Sequence, residues 1–242
     1  MRRHYKLQIV LAGLLLAIPV GAARAQQIEV PPQLELLSDA EADARLSFLQ
    51  ERLDAGQTTA KTWQYGWTGI FSVGAVASTA QAIMADDGDE RIYNIVGAVK
   101  SIGATTQMVL DPLPARLGAE PMRAVPNGTR AGRLQRLAVG ERTLAINSER
   151  ADTRYSWRRH LEGVTTNLIG GAVIWGFGDS RDALLSVASG LAFGEAQIWS
   201  QPWRANGDLA DYRAAFPTTT ASRGIEWQLR PTLNGAELAF RW

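Results

Sequence analysis

The chain has 242 residues, no cysteine, two histidines and a formal charge of +1 at pH 7. The lack of cysteine excludes disulfides, thiolate zinc sites, iron–sulfur clusters and a cysteine nucleophile. With 46% hydrophobic and 20% charged residues, the composition is that of neither a disordered chain nor a polytopic membrane protein. Composition therefore excludes several classes without identifying a function.

Residues 1–25 have the features of a secretory signal peptide. The segment starts with basic residues, continues with a charge-free, mostly apolar run over 8–22, and ends in Ala23-Arg24-Ala25, which supplies small residues for a signal peptidase. The alternative is an uncleaved anchor, for which the apolar run is short, because a span takes about 20 residues. We therefore predict an exported chain, located in the bacterial periplasm or at the outer membrane.

Removal of this segment changes the charge and the histidine count. The remaining 217 residues carry 21 basic and 24 acidic side chains, a balance of −3, and His160 is their single histidine. A site with several histidine ligands is then excluded, and a Ser-His-Asp triad would have to use His160. We expect no metal, no cofactor and no nucleic-acid partner.

The sequence matches itself at an offset of 90 residues. Over residues 51–112, 12 of 62 positions are identical to the residue 90 positions later, without a gap, where chance would give about four. The identities include Trp67 with Trp157. We therefore predict two tandem three-helix repeats, at 38–112 and 129–202, that form one mainly α-helical bundle with a shared core and pseudo-twofold symmetry.

Each repeat is predicted to contain three helices. In the first repeat a capping box at Ser38 and Glu41 begins the first helix, and Asp89 caps the third. The first helix of the first repeat is expected to begin at Ser38, and the second and third at about 60–85 and 90–110. Those of the second repeat are expected at about 129–151, 153–176 and 180–200.

The segments outside the repeats differ in composition. Alternating apolar residues on both sides of Asn234-Gly235 predict a C-terminal β-hairpin over 225–242. The remaining divisions are an extended N-terminal segment at 26–37, a proline-rich linker at 113–128 and a C-terminal segment at 203–242 that includes the hairpin.

Charge is distributed unevenly along the chain. Residues 29–54 have a balance of −5, whereas residues 116–159 contain ten arginines and have a balance of +6. We favour the interpretation that the two segments pair with each other inside the bundle or stay solvated. The alternative is that the arginines contact an anionic membrane surface or a partner.

A repeated Gly-Asp-x-Arg motif is the most specific local signal. It places Asp89 and Arg91 in the first repeat and Asp179 and Arg181 in the second. Each Asp is expected to cap a helix and to pair with its Arg. The alternative is that the two pairs line one site for a polar ligand.

Three further residues are candidates for a binding site. Trp67 and Trp157 start the second helix of each repeat, where they favour core packing or an aromatic pocket. Glu195 lies in an apolar helix, so burial would raise its pKa unless an arginine such as Arg154 or Arg158 pairs with it.

The sequence contains no recognised catalytic motif, such as a phosphate-binding loop or a Gly-x-Ser-x-Gly elbow. The favoured interpretation is a non-enzymatic helical protein that binds or scaffolds an envelope protein, with membrane-surface contact through 116–159 or the hairpin at 225–242. One alternative is an enzyme or apolar-ligand carrier with a small pocket between the repeats. Another is a helical integral membrane protein, since residues 63–85 carry no charge.

Overall fold

The computed structural model describes residues 29–217 in full and, beyond them, only the backbone of residues 226–232 and 235–241. The predicted signal peptide lies outside the described residues.

The chain is mainly helical, as predicted. The bounds are α1 Pro32–Glu35, α2 Asp39–Met84, α3 Gly88–Leu110, a 3-10 helix at Pro114–Leu117, α4 Glu120–Arg123, α5 Arg130–Arg154, α6 Trp157–Phe177, α7 Ser180–Trp199 and α8 Arg204–Ala215.

Helix α2 is a single helix of 46 residues, so the prediction of two separate helices in the first repeat is wrong. Its counterpart in the second repeat is divided, because α5 ends at Arg154 and Ser156 precedes α6 in extended backbone conformation. The aligned residue of the first repeat is Gly66, which has no side chain that could bind backbone groups in place of the helical hydrogen bonds. In the second repeat the Ser156 hydroxyl donates to the Thr153 carbonyl at 2.6 Å; with no such hydroxyl and no proline at the aligned position, α2 continues.

The other helix ends lie close to the predicted positions. The Ser38 hydroxyl accepts a hydrogen bond from the Glu41 N–H at 3.2 Å and caps α2. The Glu41 carboxylate does not return the bond of a capping box and instead accepts from Arg45 at 2.7 Å. Helices α3 and α7 begin at Gly88 and Ser180, near the 90-residue offset, while the duplication itself stays a prediction.

The main core lies at one end of the molecule, which we call the base. It forms where the first half of α2 packs on α4, α5 and α8. Its fully buried side chains come from several elements: Leu34, Leu49, Met122, Leu137 and Leu144. A second, smaller buried cluster surrounds Trp63. The main cluster joins residues of both predicted repeats, Leu49 and Leu137 among them, while the duplication and its shared core stay predictions.

Helix α8 and the segment before α5 were not anticipated as helical. Tyr212 of α8 is buried, and its hydroxyl donates a hydrogen bond to Glu141 of α5 at 2.5 Å. The predicted linker at 113–128 contains the 3-10 helix and α4, and its Gly118 adopts φ 57°, a conformation that L side chains rarely adopt. The predicted extended segment at 26–37 contains the four-residue helix α1.

Ion pairs join the acidic and arginine-rich segments, as the internal interpretation predicts. Arg133 lies 3.0 Å from Asp39, and Arg123 lies 2.7 Å from Asp54. Arg130 also pairs with Asp39. These pairs link the segments of α2 and α5 in the base, but exposed pairs of this kind contribute only about 0–1 kcal/mol each to stability.

Two helical hairpins, α2 with α3 and α6 with α7, extend from the base and meet along α3. At the seam, Lys100 Nζ of α3 donates to the Ser186 carbonyl of α7 at 3.2 Å. Burial lowers the pKa of Lys100. Gly170 and Gly190 lie opposite Lys100, where the absence of a side chain leaves room for it.

The C-terminal strands are described by backbone alone. Strand β1 (Glu226–Thr232) pairs antiparallel with β2 (Gly235–Arg241), and the register places Thr232 opposite Gly235. The connecting residues and all side chains of this segment lie outside the described residues, so the predicted hairpin and its surface contacts stay predictions.

Candidate functional site

The two hairpins join the base at a layer that we call the waist, formed by residues 63–67, 108–113, 150–160 and 195–201. Trp63 and Trp67, one turn apart on α2, both donate from Nε1 to the Ser200 hydroxyl, at 3.2 and 3.0 Å. Ser200 follows α7 directly, so this oxygen ties the middle of α2 to the end of α7. Trp67, a predicted site residue, therefore lies in the waist.

Gln64 fixes the end of α3 to the waist. Its buried amide donates from Nε2 to the Met108 carbonyl at 2.7 Å and accepts from the Leu113 N–H at 2.8 Å. These two backbone groups lie at the end of α3, where backbone groups lack hydrogen-bond partners within the helix. One side chain thus satisfies a donor and an acceptor that would otherwise be buried without partners.

Arg154 is buried in the waist, with 6% of its surface exposed. Its guanidinium carbon lies 5.1 Å from the centroid of the Trp63 ring, in the range of a cation–π interaction. Burial, with the neighbouring charges of Arg150 and Arg159, lowers the pKa of Arg154 to about 10. Arg150 itself pairs with Asp111 at the end of α3.

Glu195 pairs with His160 and not with Arg154 or Arg158, so the predicted partner is wrong. His160 Nδ1 lies 2.9 Å from Glu195 Oε2, and Trp199 donates to the same oxygen at 3.0 Å. The carboxylate is 39% exposed. Its hydrogen bond with His160 lowers the pKa of Glu195, the opposite of the rise that burial would have caused.

Trp157 is separated from Trp67, although the repeat aligns them. It starts α6, is 65% exposed and has the Arg158 guanidinium 6.0 Å from its ring centroid. The divided helix accounts for the difference, because Trp67 lies within α2 and packs on Phe71, with the ring centroids 5.6 Å apart. The two tryptophans therefore do not form a common aromatic pocket.

The two Gly-Asp-x-Arg motifs lie at the far end of the hairpins, which we call the tip (residues 85–91 and 178–182). They are adjacent, since a Cβ added to Gly178 would lie 3.6 Å from the Asp89 Cα. Asp179 caps α7 by accepting from the Arg181 N–H at 2.8 Å, but Asp87, not Asp89, caps α3.

The arginines of the motif do not pair with its aspartates. Arg91 donates to the Ala85 carbonyl at the end of α2, which ties the two ends of the turn together. Within the described residues, the ion pairs include neither Asp89 with Arg91 nor Asp179 with Arg181. The tip is thus an acidic surface with capped helices, and the predicted pairing within each motif is wrong.

The cavities of the described residues include two at or near the base. One of about 30 Å³, enough for about one water molecule, lies between the base and the waist and is lined by Arg52, Asn147 and Asp208 among others. An open groove of about 430 Å³ lies at the base beside Val30 and Arg130. Neither is lined by a predicted site residue. Within the described residues, His, Asp and Glu form no group of three that could hold a metal ion.

Large apolar side chains are exposed along both hairpins. On α2 and α3 they form two stripes, at Val73, Val76 and Ile83 and at Val99, Ile102 and Val109. Within residues 29–217 the structure has no helix with the length and hydropathy needed to cross a membrane. The two stripes are exposed surfaces of α2 and α3 within the described part of the chain.

Sequence reasoning missed His160 as the partner of Glu195, and it missed Gln64 and Ser200. No local pattern marks these residues, because each forms its hydrogen bonds with residues that are distant in sequence.

Comparison with known proteins adds no assignment: neither a protein-family model, nor a curated protein, nor a solved structure matches the chain.

Proposed function

We propose that the chain is an exported, non-enzymatic binding or scaffold protein of the bacterial envelope that docks a protein partner on the α2–α3 hairpin. The observation that carries the proposal is the pair of exposed apolar stripes on these helices. Val73 and Val76 are 69% and 71% exposed, in a stretch of α2 that has no charged residue from position 62 to 85.

Exposed apolar surface of this extent favours an interaction site. A surface helix normally turns its apolar face inward and its charged face to solvent. Here the α2–α3 pair exposes large apolar side chains on both helices, and exposed apolar patches mark protein or membrane interaction surfaces. Burying one such aliphatic side chain on a partner is worth about 1.5–3 kcal/mol.

The waist supports a scaffold role more than a catalytic one. Its polar groups link helices to each other: Trp63 and Trp67 bind Ser200, and Gln64 bridges the end of α3. Such a layer holds the two hairpins at a fixed position on the base, as a docking surface on rigid elements requires.

Photo-crosslinking in the cells that produce the chain tests the partner. A crosslinking residue at Val76 should give an adduct with a different envelope protein, whereas the same residue at Glu149, exposed on α5 of the base, should not. Equal adducts at both positions, no adduct, or adducts with the chain alone would contradict the proposal.

The export step is tested separately. We expect the protein recovered from the envelope to begin at Gln26, after cleavage behind Ala25, as sequencing of its N-terminus would show. Recovery of the uncleaved chain from the cytoplasm would contradict export. The crosslinking result would still decide whether the α2–α3 hairpin binds a partner.

A further inference from the structure

Arg154 is a buried cation that has no anion beside it in the described part of the chain. Only 6% of the residue is exposed. Within residues 29–217 its guanidinium takes part in no ion pair, and its Nε is buried without a hydrogen-bond partner. The contact that it does make is with the Trp63 ring, whose centroid lies 5.1 Å from the guanidinium carbon.

The contact with Trp63 does not replace an anion. A cation–π interaction uses the face of the guanidinium and leaves the N–H groups on its edges without acceptors. Arg154 keeps its charge at neutral pH, because burial lowers its pKa only to about 10. Burying a charge is costly unless the charge is both paired and hydrogen-bonded, so the waist contains a cation that requires a counter-ion.

The neighbouring charges do not supply that counter-ion. Arg150 and Arg159 act on Arg154 as like charges, and Asp111 is the carboxylate that opposes them. Asp111 is already paired with Arg150, and Arg159 lies 3.0 Å from Glu162. Three arginines and two carboxylates leave one positive charge uncompensated in this part of the waist.

A second unpartnered side chain lies in the same layer. Gln201 is 1% exposed, and within the described residues neither its Oε1 nor its Nε2 forms a hydrogen bond. Tyr155, the neighbour of Arg154 in the chain, donates to the Gln201 carbonyl at 2.6 Å. Trp63, which packs on Arg154, donates to the hydroxyl of Ser200, the residue before Gln201. The Gln201 amide is therefore an N–H donor close to the surplus charge.

We propose that Arg154 binds a small inorganic anion such as chloride in the waist, with the Gln201 amide as a second donor. One surplus positive charge is balanced by one negative charge, which favours a monovalent ion. The small exposed fraction of Arg154 favours an ion of this size over a phosphate or a peptide carboxylate. The inference goes beyond the proposed function, which uses the exposed stripes of the α2–α3 hairpin.

Thermal unfolding of the purified protein in two salts tests the site. Sodium chloride is compared with sodium gluconate, which has a much larger anion, at the same ionic strength of about 0.15 M, so that general screening is equal. A ligand that binds the folded chain alone raises Tm in a concentration-dependent manner. We expect a Tm about 2–4 °C higher in chloride than in gluconate.

Two methionine substitutions locate the effect. Arg154→Met removes the charge and keeps a long side chain, so the increase in Tm caused by chloride should vanish, whatever the stability of the variant in gluconate. Arg181→Met is the matched control, because Arg181 is exposed at the tip and takes part in no ion pair within the described residues. It should keep the increase that the unmodified protein shows.

Broadening of the chloride NMR resonance measures binding to the folded protein directly. The unmodified protein and Arg181→Met should broaden the resonance equally, and Arg154→Met should lose most of this broadening. A Tm that is equal in chloride and gluconate would overturn the proposal, since hydration of Arg154 by water alone predicts that result. An increase in Tm or a broadening that persists in Arg154→Met would also overturn it. None of these results bears on the envelope partner, which the Val76 adduct decides.

Discussion

His160 and Glu195 are 35 residues apart in sequence, and the Nδ1 of one lies 2.9 Å from the Oε2 of the other. A carboxylate can only accept hydrogen bonds, so Nδ1 carries the proton that they share. The indole of Trp199 donates to the same oxygen and packs with the imidazole, the ring centroids 5.8 Å apart. The contact joins the start of α6 to the end of α7.

This pair gives a pH dependence of stability with a defined sign. The hydrogen bond between Glu195 and His160 lowers the pKa of Glu195 in the folded chain below the ordinary value of 4.5. As the pH falls, Glu195 therefore takes up a proton in the unfolded chain before it does so in the folded chain. The contribution of the pair to the free energy of unfolding is complete above pH 4.5 and is lost as the pH falls through the folded pKa of Glu195. Solvent screening keeps the contribution small, because the carboxylate is partly exposed.

Urea unfolding of Glu195→Gln at pH 3, 4, 5 and 7 measures the effect. The difference in the free energy of unfolding from the unmodified protein should shrink as the pH falls below 4.5. Glu149→Gln, at an exposed position of α5, is the control. A difference for Glu195→Gln that grows on acidification would show that the pair has the opposite linkage.

Gln64→Leu should be strongly destabilising. The substitution removes the acceptor of the Leu113 N–H and the donor to the Met108 carbonyl, and each buried group left unpaired costs about 1–3 kcal/mol. Chemical unfolding followed by circular dichroism should show a loss of about 2–4 kcal/mol. Gln81→Leu, at an exposed position of the same helix, should change stability by less than about 0.5 kcal/mol. Equal effects of the two would show that the Gln64 amide does not bridge the waist.

Gly190→Ala tests the seam between the hairpins. The added Cβ would lie 1.8 Å from Asn167 Oδ1 of α6 and 2.6 Å from Lys100 Nζ of α3, so both side chains must move or the helices must separate. We expect a loss of about 1–3 kcal/mol in the free energy of unfolding. Gly194→Ala, one turn later on α7 with nothing within 4 Å, should instead stabilise the protein by about 0.4–1 kcal/mol. Stabilisation by both substitutions would contradict the close packing of α3 and α6 against α7 at Gly190.

Two substitutions of Gly56 test whether α2 is continuous. Gly56 lies within α2, where an added Cβ meets nothing within 4 Å. Gly56→Ala should therefore raise the free energy of unfolding by about 0.5–1 kcal/mol, and Gly56→Pro should lower it by about 3 kcal/mol or more. If the chain had the predicted break between two helices here, proline would be tolerated. Thermal unfolding of the two variants separates these cases.

Much of the local structure could be predicted from the sequence. The cap at Ser38, the cap at Asp179 and the end of α3 before Asp111-Pro112 are where the pattern indicated. Each depends on residues within a single turn, so the necessary information is adjacent in the chain. The candidate site was less accessible: Trp67 and Glu195 were identified, but neither was assigned its partner.

The sequence by itself determined the helical class and most helix ends, because capping and proline act over a few residues. Only the tertiary structure decided that His160 rather than an arginine pairs with Glu195, and that Arg154 is buried against Trp63. These outcomes depend on which helices come together at the waist. A side chain's partner is set by the packing of elements that are far apart in sequence, and no local pattern contains that information.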